Sequence, residues 1–140
     1  MERGAKFPSI DQYDWVGKKP KLSDKPILVL FWSISCHDCK IVLHNFIKKE
    51  WYLSDAFDIV SVHMPRSKKD TNKLDLNRFC EERKISFPVL IDNDLHFSTI
   101  FRNQFVPTIY IFSKDKVLLG MVNGSNPFRR LEYLYRKYLQ

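Results

Sequence analysis

The sequence of 140 residues contains no apolar run approaching the ~18 residues of a membrane span, so no membrane partner is expected. It begins Met-Glu-Arg-Gly-Ala-Lys-Phe, which carries charges but no apolar h-region, and no secretion signal is expected. Only three cysteines are present, two of them within one Cys-x-x-Cys, which excludes a disulfide framework. Such usage fits a reducing compartment, and the expected location is cytoplasmic. There are no internal repeats and no low-complexity segment. The formal net charge is +7, but pairs such as Lys18-Lys19, Lys48-Lys49, Lys68-Lys69 and Arg129-Arg130 are scattered. No basic stripe interleaves with an aromatic stacking platform, so a nucleic-acid partner is not expected.

What is present points to one globular domain over residues 1–140, a monomer, with 44% hydrophobic and 14% aromatic residues to build its core. The chain is organised around the stretch from Pro26 to Lys40. Ile27 to Trp32 is an unbroken apolar run, the pattern of a strand buried on both faces. Ser35 is a candidate helix N-cap, with Asp38 three residues later as in a capping box. Cys39, Val42, Leu43, Phe46 and Ile47 then fall on one helical face. Cys36-His37-Asp38-Cys39 therefore lies where a buried strand turns into an amphipathic helix, and a Cys-x-x-Cys there reads as a dithiol redox site.

The chemistry explains the residue types. A thiolate at a helix N-terminus meets unpaired N–H groups and the positive end of the helix dipole. Cys36 is expected at that exposed position and is the candidate nucleophile. Cys39, one turn on, opens the apolar stripe and is expected to be buried, protonated at rest and second to act. Their spacing lets the two sulfurs close a disulfide. His37, as a cation, would stabilise the Cys36 thiolate; the alternative is a plain surface residue. Trp32 is read as a core and site-wall residue, His44 as a surface residue, and Cys80 as a buried small hydrophobe on a helix face. His63, at the end of a strand parallel to the first, is either a base for Cys39 or a structural histidine.

Residues 1–26, with Pro8, Pro20 and Pro26, read as an irregular lead-in with a short hairpin around Trp15 to Leu22. The redox helix is expected to fade near Trp51. Asp58 to His63 is a second strand, Arg66 to Asn72 a polar loop, Leu74 to Arg83 a helix, Pro88 to Asp92 a short strand and Leu95 to Phe105 a helix. Thr108 to Ser113 and Lys116 to Val122 form a hairpin turning at Lys114-Asp115. Gly124-Ser125-Asn126 is expected to cap a final amphipathic helix. The fold class is α/β: a central mixed sheet flanked by helices.

Phe31-Trp32-x-x-x-Cys36-x-x-Cys39-Lys40 at a strand–helix junction, with Val106-Pro107-Thr108 before a late strand, resembles the thioredoxin superfamily. The inserted strand–helix segment between the second strand and Pro107 is similar to the TlpA/ResA branch. The resemblance implies a thioredoxin fold, a cis Pro107 facing the cysteine pair, and Val106, Pro107 and Thr108 as the substrate-binding segment, with Val106 pairing to an extended chain. It implies thiol–disulfide exchange with disulfide-containing protein substrates, no cofactor and no metal. A thioredoxin-reductase-type protein or a small thiol would be the electron donor. The chain departs from the family pattern at four sites. Ser35 stands where many relatives have Trp, and Leu30 stands where thioredoxins carry a buried Asp. Val42 replaces the Glu of ResA-like members, and His44 replaces the helix-kinking Pro. The ordinary base for the second thiol is thus missing. Three other readings compete with this one. A zinc site would need Cys80 and a histidine to converge on the pair. A peroxidase-like enzyme lacks its Thr at Ser33. A binding module without turnover is at odds with an intact cysteine pair.

Overall fold

The apolar run becomes the central strand, β2 (Ile27–Trp32), and all six of its residues are fully buried. It has two buried faces because the sheet is covered on both sides. Leu28, Leu30 and Trp32 meet Cys39, Val42, Leu43 and Phe46 of helix α1 (His37–Ala56). Ile27, Val29 and Phe31 enter a second core with Phe97, Phe101, Tyr110 and Phe112. Each such fully buried large side chain contributes about 1.5–3 kcal/mol. The computed structural model describes residues 1–140, apart from the side chains of residues 50–52.

The chain continues through β3 (Asp58–His63), a 3-10 turn (Lys68–Thr71), α2 (Lys73–Glu82), β4 (Val89–Ile91), α3 (His96–Phe101), β5 (Thr108–Phe112), β6 (Leu118–Asn123) and α4 (Phe128–Tyr138). With β1 (Asp14–Val16) the strands form one mixed sheet in the order β1-β4-β3-β2-β5-β6. β2, β3 and β4 run parallel, so Trp32, His63 and Ile91 stand in register at their carboxyl ends. The other pairings are antiparallel. This is a thioredoxin fold with a TlpA-type insertion, as the motif resemblance implied.

Several local expectations change. There is no hairpin between Trp15 and Leu22. Asp14–Val16 instead pairs with β4 as the sheet edge, Trp15 opposite Leu90. Helix α1 does not fade near Trp51 but runs to Ala56, because Leu53 and Phe57 extend the buried stripe of Phe46. Helix α3 ends at Phe101 rather than Phe105. Arg102 turns left-handed at φ 54, and the Asn103 N–H closes onto the Ser98 carbonyl. Asn103 Nδ2 then donates to the Phe105 carbonyl at 2.9 Å, folding residues 102–107 toward the cysteines. The first residue outside α4 is Pro127, with no side-chain cap from 124–126.

Candidate active site

Residues 33–36 carry the chain from β2 into α1. The N-cap is Cys36 itself, not Ser35: the Cys39 N–H donates to Cys36 Sγ at 3.1 Å. The sulfur thus takes the place of the oxygen that normally caps a helix start. Across from it, the Cys36 thiol donates to the Val106 carbonyl at 3.8 Å. Cys36 is not exposed as expected; only 4% of it meets solvent, on the wall of an open groove of about 610 Å³. The groove runs between residues 36–38, 64–66 and 104–106. Exposed His37 and Asp38 form part of its rim, and Asp38 lies in the first turn of α1. Cys39 is wholly buried behind Cys36. Burial first, and then its hydrogen bond and charge interaction with Cys36, push its thiol far up; the Ser33 backbone and the Arg66 charge pull the other way. Cys39 is thus both shielded from the groove and reluctant to ionise.

The Val106–Pro107 bond is cis. Val106 and its neighbour Phe105, 69% exposed, line the groove. Pro107 and Thr108 are buried beneath it. Thr108 does not present its hydroxyl to the groove; Oγ1 lies 2.6 Å from the Phe105 carbonyl and 2.8 Å from Asn123 Oδ1. Trp32 is buried under the site rather than forming its wall, edge-on to His63 at 5.1 Å and stacked on Phe79 at 5.4 Å. His63 is fully buried, and its Nε2 accepts the Ile34 N–H at 3.2 Å. That atom is therefore committed to the backbone and not to Cys39. Burial lowers the His63 pKa from 6.5 to about 4, with Asp70 opposing. Cys80 is buried in α2, and burial raises its thiol to about 11.

Asp70 is the site residue that sequence reasoning missed. It sits on the 3-10 turn and is 3% exposed. Its Oδ2 accepts from Ser33 Oγ at 2.9 Å, Ser35 Oγ at 2.7 Å and the Arg66 N–H at 2.9 Å. Burial pushes its carboxyl up. The hydrogen bonds from Ser35, Arg66 and Ser33, with the nearby His63, outweigh that and hold it below its ordinary value. A lone acid in the basic run Arg66-Ser-Lys-Lys-Asp-Thr was the only available signal. A second cavity, about 550 Å³ between α1 and α4, is lined largely by apolar side chains such as Leu53, Phe57 and Leu131. It contains neither cysteine of the pair, so the chemistry belongs to the groove.

The comparisons agree with this geometry. The chain is 32% identical to the thiol-disulfide oxidoreductase YkuV of Bacillus subtilis over 117 residues, 84% of this chain and 79% of that protein. It is 23% identical to the thiol-disulfide oxidoreductase ResA of the same organism over 129 residues, covering 89% of this chain and 69% of ResA. Among solved structures, a thioredoxin-like protein in its oxidised form superposes with a TM-score of 0.79 at 28% identity, covering 96% of this chain and 93% of that one. No family model matches.

Proposed function

The chain belongs to the thiol-disulfide oxidoreductases of the thioredoxin superfamily, in the TlpA/ResA branch, and from that premise we propose that it reduces protein disulfides through Cys36 and Cys39. The observation that carries the reading is Cys36 Sγ at the N-cap of α1, accepting the Cys39 N–H while lining an open groove. Cys36 reacts as its thiolate. The thiolate attacks one sulfur of a substrate disulfide. That S–S bond breaks, the departing substrate sulfur takes up a proton, and Cys36 is left in a mixed disulfide. Cys39 attacks the Cys36 sulfur and gives up its proton, the Cys36–substrate S–S bond breaks, and the second substrate sulfur takes up a proton and leaves as a thiol, so that two electrons have passed to the substrate. A Cys36–Cys39 disulfide remains, to be reduced by a thioredoxin-reductase-type protein or a small thiol. Val106 is positioned at the groove to pair with an extended substrate backbone. The reading includes a monomer acting in the cytoplasm.

The test is insulin reduction in the presence of dithiothreitol, with trapping by single cysteine variants. Cys36→Ser is expected to abolish turnover, and Cys39→Ser to accumulate mixed disulfides through Cys36. Trapping by Cys36→Ser alone reverses the assignment. A reduction potential near the ~−270 mV of thioredoxin supports the reductase direction, and one near ~−120 mV refutes it.

A further inference from the structure

The three residues before the nucleophile are each held by a side chain from the end of β3 or the turn after it. Ser33 and Ser35 both donate their hydroxyls to Asp70 Oδ2, and the Ile34 N–H between them donates to His63 Nε2. The same Asp70 oxygen also takes the Arg66 N–H, which anchors the carboxylate to its own loop. We propose that His63 and Asp70 form a clamp on residues 33–35 and are the positioning residues that aim Cys36 Sγ at the groove. The proposal rests on Cys36 being the attacking thiol.

The clamp is not explained by stability alone. Burying a carboxylate and an imidazole side by side is costly unless both are satisfied. Asp70 is satisfied on one oxygen by three donors. His63 is not fully satisfied: Nε2 accepts, so the proton is on Nδ1, and Nδ1 is buried without a partner among the described residues. A leucine at 63 would avoid that cost but would leave the Ile34 N–H bare. Both groups converge on the one segment whose path decides whether the Cys36 sulfur, rather than Ser35, caps α1. The family's Trp before the first cysteine is Ser35 here, and its hydroxyl is what Asp70 holds. Ser35 thus trades the cap position for the clamp, and the cap passes to the reacting atom.

Charge and positioning are separable by substitution at Asp70. A loosened 33–35 segment takes the Cys36 sulfur away from the Cys39 N–H that it accepts and from the groove that it lines. Asp70→Asn removes the charge and keeps an acceptor oxygen in place, whereas Asp70→Ala removes both. The other ionisable groups around Cys36, namely His37, Asp38, Cys39, Arg66 and His63, are the same in both variants.

The experiment is the rate of iodoacetamide alkylation of Cys36 in the reduced protein as a function of pH, resolved by peptide mass, for wild type, Asp70→Asn, Asp70→Ala and Ser35→Ala. Urea unfolding of each variant is run alongside. Asp70→Ala is expected to slow alkylation at neutral pH by about tenfold, as one or two lost positioning hydrogen bonds would do. Asp70→Asn is expected to keep most of the wild-type rate. Ser35→Ala, which removes one donor and keeps the carboxylate, is expected to lose about threefold. If Asp70→Ala does not fold, Ser35→Ala against Asp70→Asn decides. The clamp is overturned if Asp70→Ala or Ser35→Ala folds and alkylates like wild type, or if Asn and Ala change the alkylation rate alike. Alkylation reports the Cys36 sulfur itself, so a failed insulin assay refutes the exchange reading without touching this result.

Discussion

Acid stability tests the buried His63 directly. Its pKa is lowered from 6.5 to about 4, burial being the main cause and the Asp70 charge opposing. The unfolded chain therefore takes up a proton on His63 as pH falls through 6.5, while the folded protein stays neutral until about 4. Stability from this residue is whole above pH 6.5 and is lost progressively between 6.5 and 4. The span is two and a half pH units, which at about 1.36 kcal/mol per unit amounts to about 3 kcal/mol. With a urea m-value of about 1.5 kcal/mol/M the midpoint should fall by about 2 M over that range. His63→Gln keeps an acceptor for the Ile34 N–H but does not titrate. The prediction is that the difference in urea midpoint between wild type and His63→Gln changes by about 2 M between pH 7 and pH 4. Asp70 is present in both proteins, and with its folded carboxyl held below 3.8 its contribution is whole well above that value and falls away as pH drops through it. Parallel pH profiles for the two proteins would refute the argument from burial.

Three further expectations follow from placement. In the reduced native protein iodoacetamide should label Cys36 long before Cys80, although both are 4% exposed, since Cys36 lines an open groove and burial holds the Cys80 thiol at about 11; rapid native labelling of Cys80 by peptide mass would contradict this. Phe101→Ala should cost about 3–5 kcal/mol in urea unfolding, because the ring packs against Phe31, Phe97 and Tyr110 at 5.0, 4.9 and 4.8 Å; a loss under about 1 kcal/mol would show that the core collapses around the gap. Phe105→Ala should leave stability within about 0.5 kcal/mol, since the ring is 69% exposed, and should slow insulin reduction several-fold while sparing reduction of a small aromatic disulfide; equal effects on both substrates would remove Phe105 from the protein-binding surface.

The elements that carry their own signal were legible. β2 is a run of apolar residues, and α1 shows its buried stripe in Cys39, Val42, Leu43 and Phe46. The reacting pair was legible because two cysteines at that junction have few other uses. What escaped reading depends on pairing across the fold. β1 is three residues long, and its only reason to be a strand is β4. Ser35 looks like an N-cap to any local rule, and it loses that role because Asp70, distant in sequence, offers its hydroxyl a charged acceptor. Thr108 sits next to the groove in sequence, yet its side chain points to the Phe105 carbonyl and Asn123. Asp70 itself lay in a polar loop, set apart only as the one acid of a basic run, which says nothing of where its side chain packs. Local chemistry was readable to within a residue or two; convergence of side chains from β3 and the 3-10 turn onto residues 33–35 was not.

That same convergence bears on the missing base for Cys39. Leu30 and Val42, where relatives carry carboxylates, are apolar and fully buried, so no acid stands at either place. His63 gives Nε2 to Ile34. The groups that act on Cys39 are Cys36, which raises its pKa through a hydrogen bond and through charge, and the Ser33 backbone and Arg66, which lower it. In the proposed cycle the first step removes the thiolate from Cys36, because that sulfur becomes part of a mixed disulfide. The charge that opposed ionisation of Cys39 disappears, while the Ser33 backbone and Arg66 stay where they were. Burial remains the largest opposing cause, but the balance moves toward the thiolate only after substrate has been captured. In that proposed cycle the order of attack, Cys36 and then Cys39, follows without a dedicated base. The proton on Cys39 is the gate, and the mixed disulfide lowers it.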